Sequence, residues 1–389
     1  MMYQFDVPVD RHGKSLKWDA PLYEVPNPAQ LTPMWIADMD FATPPCVIDA
    51  IANRLKHPTM GYFELDDRFY DAVIRWAKVR RGLEDITREN ILYQNSTVGA
   101  IVAAIQLLTE PGDPVLVHLP NYTGFTYGIA DAGRRLVGTP LVQDENGIFR
   151  MDLADMEEKI VNENIKCLIL CSPHNPTGRV WTLEELQAAT ALCEKYQVRI
   201  ISDEVWSDFV YAPAKQIPTA QVSEYARAHT IATYGATKTF NLAGLRIAYS
   251  IVYEPELAAA YKKISSCNHY NVPNVLSAEA LIGAYEHGEQ YVDELVSYIH
   301  DNLNYADGYI KAYIPSLASY VPEGTYTMWL SLAGTGRTDE ENMLRMAAQG
   351  LVANPASDYN GNGWFRLNLA CPRSQVDAAL DALKAAMEP

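Results

Sequence analysis

Short, almost unbroken apolar runs alternate along this chain with longer segments whose apolar positions recur every three or four residues. Val115-Leu116-Val117, Cys167-Leu168-Ile169-Leu170-Cys171, Ile200-Ile201-Ser202 and Thr230-Ile231-Ala232-Thr233-Tyr234 are of the first kind. Strands covered on both faces lose the polar alternation of a half-exposed strand, so these four read as buried parallel strands. Ile247-Ala248-Tyr249-Ser250-Ile251-Val252 is a further strand. Thr182-Leu183-Glu184-Glu185 has the spacing of a capping box and predicts a helix running to about Tyr196. Strands interleaved with helices predict an α/β chain whose sheet carries helices on both faces.

The last third changes character. Residues 275–313 have long helical periodicity with polar faces, residues 325–330 and 364–369 read as strands, and 374–387 as a closing helix. The first forty or so residues are proline-rich and extended, with no core of their own, and are expected to pack on this C-terminal α+β unit or on another subunit. The expected division is an N-terminal segment (1–45) joining the small domain, a large domain (46–285) and a small C-terminal domain (286–389).

In open α/β sheets, ligands collect at the carboxyl ends of the strands. Three successive strand ends here carry polar groups: Ser172-Pro173-His174-Asn175-Pro176-Thr177-Gly178, then Asp203-Glu204, then Gly235-Ala236-Thr237-Lys238. Lys238 stands in a turn of small residues with Arg246 eight positions later. A partly desolvated lysine has a lowered pKa and a free amine able to form an imine. An arginine nearby suits a phosphate. Together they suggest pyridoxal phosphate linked to Lys238. Asp203 would keep the pyridine nitrogen protonated so that the ring draws electrons, Asn175 would bond the ring hydroxyl, and Lys238 would serve as base. The turn Asn95-Ser96-Thr97-Val98 opens an apolar helix, and a helix N-terminus binds anions. Singly, each residue has an ordinary use: Lys238 in a surface loop, Asp203 as an N-cap, Asn175 as a turn former, Ser96 as a plain cap. Their joint occurrence at consecutive strand ends is what those uses leave unexplained.

A net charge of -17 argues against nucleic acid or an anionic membrane as partner, since both need a basic surface. Residues 1–6 show neither a basic start nor an apolar core, so no signal peptide is expected. No run of eighteen apolar residues occurs. The six cysteines show no zinc spacing, so no metal is expected and reduced thiols in a cytoplasm are the simplest reading.

Trp35-Ile36-Ala37-Asp38-Met39-Asp40-Phe41, Gly61-Tyr62, Pro173-His174-Asn175-Pro176-Thr177-Gly178, Ser202-Asp203-Glu204-Val205, Lys238-Thr239-Phe240-Asn241, Pro322-Glu323-Gly324-Thr325-Tyr326 and Arg366-Leu367-Asn368-Leu369-Ala370-Cys371-Pro372-Arg373 complete the pattern. With these pieces the chain resembles, nearly end to end, fold-type I pyridoxal-phosphate enzymes of the aminotransferase superfamily. Within it, the chain resembles the MalY/PatB subgroup of cystathionine and cysteine-S-conjugate β-lyases. The resemblance implies a large domain with a mostly parallel seven-stranded sheet and a smaller α+β domain formed by both chain ends. It implies backbone donors to the phosphate at Thr97 and Val98 with Arg246 as charge partner, and Tyr122 stacked on the ring. Asn175, Asp203 and Trp206 would surround the ring, and Arg366 would clamp the substrate carboxylate, helped by backbone near Ala37. It also implies a homodimer with Tyr62 reaching into the partner's site. Ser96, Trp206 and Gly235 depart from the subgroup, which often has glycine, histidine or tyrosine, and serine there; indole cannot act as acid or base. The expected reaction is α,β-elimination from cystathionine or an S-substituted L-cysteine to a thiol, pyruvate and ammonia, with amino transfer to a 2-oxo acid as the alternative.

Overall fold

The computed structural model describes residues 2–388. Its main sheet has eight strands in the order Ile91–Gln94, Ala248–Ile251, Thr230–Tyr234, Arg199–Asp203, Cys167–Cys171, Pro114–Leu119, Arg135–Gln143 and Phe149–Met151. The contiguous run from Thr230–Tyr234 to Arg135–Gln143 is parallel, and the strands beyond it at each edge pair antiparallel. Seven of these make up the expected sheet. The eighth, Phe149–Met151, is three residues long, too short for hydrophobic periodicity to show.

Alternate residues of the central strands feed two different cores. Leu168, Leu170 and Ile200 pack with Trp181, Leu186, Ala189 and Cys193 around the helix Leu183–Tyr196. Ile169, Cys171, Ile201 and Ile231 pack with Ile101, Ala104 and Ile105 of the helix Thr97–Leu108. Both faces are therefore covered, which is why the strands read as unbroken apolar runs. The capping box forms as expected: Thr182 Oγ1 accepts from Glu185 N at 3.2 Å and Glu185 Oε2 accepts from Thr182 N at 2.9 Å.

A second sheet orders Thr327–Ser331, Trp364–Asn368 and Asn354–Pro355, all antiparallel, beside the helices Glu289–Tyr313, Asp339–Ala348 and Arg373–Met387. The strand expected over 325–330 begins two residues later. Thr325 has a positive φ of 67°, and its hydroxyl accepts from Thr327 N at 3.2 Å, so the chain turns before it pairs.

The N-terminal segment docks on this second unit. Thr32–Pro33 runs parallel to Leu351–Val352, Asn368 N donates to Met34 O at 2.8 Å, and Asp40 N donates to Ala370 O at 3.0 Å. An ion network ties the segment to itself, and Gln375 links it to the second unit. Arg11 forks onto Asp38 at 3.1 and 2.8 Å and reaches Asp40 at 2.8 Å. Lys17 Nζ lies 2.6 Å from Asp40 Oδ2, with the two side chains 1% and 2% exposed. Trp18 Nε1 and Gln375 Nε2 each donate to Asp40 at 3.0 Å. Four side chains thus share the two carboxylates of the Asp38-Met39-Asp40 motif; burial pushes the Asp40 carboxyl up, but the charge of Lys17 and the hydrogen bonds from Lys17, Trp18 and Arg11 together hold it below its ordinary pKa.

Removing one partner of a buried ion pair strands the other's charge. Lys17→Met is expected to destabilise the segment around residues 35–40 by about 3 kcal/mol, the low end of that class because Arg11 remains on Asp40. Hydrogen exchange of these amides in both proteins measures it; unchanged protection would show that the network does not hold the segment.

Candidate functional site

A pocket of about 540 Å³ opens at the carboxyl ends of the parallel strands. The strand Cys167–Cys171 delivers Asn175 through the following turn, Arg199–Asp203 ends on Asp203, and Thr230–Tyr234 leads to Lys238. All three line the cavity. The turn closes tightly on the second unit: a Cβ at Gly178, whose φ is +70°, would lie 2.4 Å from Pro322 Cβ. Only glycine suits both that backbone region and that approach.

Lys238 is partly exposed to the pocket and otherwise enclosed by protein. Desolvation first, and the charge of Arg366 second, lower its pKa to about 8. Its Nζ donates to Ala37 O at 2.7 Å, and Tyr326 Oη donates to the same carbonyl at 2.9 Å. Three residues on, Asn241 grips the same segment twice: its Oδ1 accepts from Met39 N at 2.9 Å and its Nδ2 donates to Met39 O at 2.8 Å. The lysine turn and the N-terminal segment are thus bolted together by side-chain-to-backbone bonds. Thr239 Oγ1 anchors the turn from behind, donating to buried Asp208 at 2.7 Å.

Asp203 is 3% exposed, and burial raises its pKa to about 6. Its Oδ1 accepts from Val205 N at 3.1 Å; among the described residues Oδ2 accepts no hydrogen bond. Glu204, next in sequence, turns away from the pocket. It takes bonds from Ser202 Oγ, Thr219 N, Tyr234 Oη and Gln216 Nε2 at 2.7–3.2 Å, a wholly structural set.

Ser96, Thr97, Val98, Thr237 and Arg246 line the pocket. Ser96 caps the helix Thr97–Leu108, its Oγ accepting from Gly99 N at 3.0 Å. That leaves the Thr97 and Val98 N–H groups, which have no partner inside a helix. Arg246 is exposed and forms no ion pair among the described residues. At Gly235 an added Cβ would stand 3.1 Å from Ile247 O, so a small residue fits best there, and Thr237 supplies a pocket-lining hydroxyl two residues on.

Arg366 also lines the pocket and is 4% exposed, yet every partner it has is neutral. Its Nη1 donates to Asn175 Oδ1 at 3.0 Å; its Nη2 donates to Trp35 O at 2.8 Å and Asn354 Oδ1 at 3.0 Å. Its Nε is buried without a partner. A buried cation left uncompensated carries a large desolvation penalty. Tyr359 lies face-on to it at 5.0 Å. Tyr122, whose hydroxyl pKa burial raises, and Trp206, whose ring centroid is 5.4 Å from Lys238 Nζ, line the pocket too.

The structure thus gathers Ala37, Thr97, Val98, Tyr122, Asn175, Asp203, Trp206, Lys238, Arg246 and Arg366 around one cavity. Tyr62 it does not: that ring is wholly exposed on a loop and is absent from the pocket wall of its own chain. Sequence reasoning missed Asn354 and Tyr359. Nothing local marks them; a register argument from a strand paired to Arg366 was the signal available, and the two-residue strand Asn354–Pro355 is too short to announce itself.

Comparison with known proteins agrees with this geometry. Residues 31–383 match the aminotransferase class I and II family. Cystathionine β-lyase PatB of Bacillus subtilis is 33% identical over 98% of this chain and 99% of its own length. Two crystal structures superpose closely. The pyridoxal-phosphate-bound C-S lyase of Staphylococcus hominis has a TM-score of 0.90 at 29% identity, covering 99% of both chains. Cystalysin of Treponema denticola, which contains a pyridoxal 5'-phosphate cofactor, has a TM-score of 0.94 at 26% identity, again over 99% of both. A family match across nine-tenths of the sequence, with the lysine, aspartate and arginines assembled at one strand-end pocket, shows that this chain belongs to the class I and II aminotransferase family of pyridoxal-phosphate enzymes.

Proposed function

We propose that this protein is a carbon–sulfur β-lyase that cleaves cystathionine or an S-substituted L-cysteine to a thiol, pyruvate and ammonia. The observation that carries amino-acid chemistry is the buried, unpaired Arg366 facing the Lys238 amine across one pocket. End-to-end similarity to a cystathionine β-lyase supports sulfur elimination over amino transfer.

The donor set suits pyridoxal phosphate. The free Thr97 and Val98 N–H groups and the unpaired Arg246 would hold the phosphate, Tyr122 would lie on the ring, and Asn175 and Trp206 would border it. Asp203 would set its open carboxylate oxygen on the ring nitrogen; a cation there returns a carboxyl of raised pKa to its ionised form. When bound, the cofactor supplies an electron sink for the substrate α-carbon.

The remaining work falls to the chain. Arg366 fixes the α-carboxylate, and with it the Cα–H bond, relative to Lys238. Lys238 Nζ takes the α-proton; its lowered pKa leaves much of it neutral near pH 8. As that electron pair forms the Cα–Cβ double bond, the Cβ–S bond breaks and sulfur leaves with its electrons, to be protonated as the thiol. Water then completes release of pyruvate and ammonia. Amino transfer uses the same Lys238 and Arg366 but returns the proton elsewhere and needs no leaving group on Cβ.

We further infer a homodimer. Tyr62 is wholly exposed, and Ile48, Leu55 and Met60, close to it in sequence, are exposed too. Tyr62 of the partner subunit would complete the site.

Four outcomes test these readings. Cystathionine is expected to yield pyruvate faster than alanine or an aromatic amino acid yields its 2-oxo acid; the reverse order would establish the aminotransferase. Arg366→Ala is expected to lose about 2–5 kcal/mol of substrate binding, seen as a raised KM, and an unchanged KM would remove the clamp. Capture of pyridoxal phosphate by cofactor-free protein needs neutral Lys238, so its rate should climb with pH and level off above about 8.5, whereas an unperturbed lysine would keep accelerating past pH 10. Mixed Lys238→Ala and Tyr62→Ala chains, each inactive alone, should regain about a quarter of full activity if sites are shared between subunits, and none if they are not.

A further inference from the structure

Arg366 occupies the middle of the strand Trp364–Asn368, and Asn354 lies directly opposite on the neighbouring antiparallel strand. Directly opposed residues project their side chains to one face. Asn354 is 7% exposed. Its Oδ1 accepts from Arg366 Nη2 at 3.0 Å and its Nδ2 donates to Asp358 Oδ2 at 2.9 Å. A guanidinium only donates and a carboxylate only accepts. One orientation of the amide satisfies both, so Asp358 dictates which way Asn354 faces. Asn175 Oδ1 and Trp35 O supply the other acceptors, and both are neutral. The Asp358 carboxylate is kept one residue away behind the amide. The guanidinium is therefore held in place by dipoles while its charge stays unspent.

We propose that Asn354, oriented by Asp358, is a positioning residue that aims Arg366 and keeps its charge available for the substrate α-carboxylate. This rests on the clamp reading of Arg366. Asn354→Asp keeps the size and an acceptor but sets a full negative charge on the guanidinium, in competition with the substrate.

The test uses the holoenzyme and its Asn354→Asp, Asp358→Asn and Arg366→Ala variants. KM and kcat are measured with an S-substituted L-cysteine. Propionate, which has the carboxylate but no amine to react, is titrated by its effect on the cofactor absorbance, and cofactor affinity is measured separately. Asn354→Asp is expected to weaken propionate and raise KM by about tenfold or more, with kcat within about twofold and cofactor affinity unchanged. Asp358→Asn, a milder change at a partly exposed position, should raise KM by about threefold in the same pattern. Arg366→Ala should move both readouts at least as far. A KM and propionate affinity unchanged in both Asn354→Asp and Asp358→Asn, or a loss of cofactor affinity in parallel, overturns the proposal, the latter because a scaffold role would produce it. If Arg366→Ala itself leaves KM unchanged, the clamp reading falls and this proposal with it.

Discussion

Residues 35–39 give up every backbone carbonyl to a side chain from elsewhere in the chain. Trp35 O takes Arg366, Ile36 O takes Asn368, and Ala37 O takes Lys238 and Tyr326. Asp38 O takes Lys17 and Asn368, and Met39 O takes Asn241 and Arg11. This strap joins the lysine turn of the large sheet to the arginine strand of the small one. The Lys238 amine and the Arg366 guanidinium are thereby both bonded to one five-residue segment. Side-chain bonds to backbone carbonyls constrain position more tightly than packing alone, because they are directional.

Charge placement follows from that frame. The acidic motif residues Asp38 and Asp40 spend their charge on Arg11 and Lys17, outside the pocket. Asp208 and Glu204 spend theirs on the scaffold behind it. Within the pocket, by contrast, Arg366 and Arg246 lack acidic partners among the described residues, and one Asp203 oxygen is open. The chain satisfies its buried charges wherever they are structural and leaves the buried Arg366 guanidinium and one Asp203 oxygen unmet inside the pocket, beside the exposed Arg246. The costs of those unmet charges are borne by the surrounding bonded network.

Much of this was legible in the residues. The strands Cys167–Cys171 and Thr230–Tyr234 match their apolar runs residue for residue, because a strand buried on both faces has only one pattern. The helix Leu183–Tyr196 begins at its capping box, since that motif is purely local. The short strands Phe149–Met151 and Asn354–Pro355 escaped, being stabilised by neighbours that lie far away in sequence. Asn354 and Tyr359 escaped with them.

The amino-acid order alone determined which groups reach the strand ends, because a parallel sheet with right-handed crossovers carries every such turn to the same edge. It determined the amine, the carboxylate and the two arginines, and so the chemistry open to the site. Only the tertiary structure decided that Asp203 faces the pocket while Glu204 faces the scaffold, and that Arg366 meets neutral acceptors alone. It also decided that Lys238 is enclosed enough for its pKa to fall to about 8. Desolvation and charge compensation depend on what surrounds a group in space, and those neighbours come from segments hundreds of residues apart.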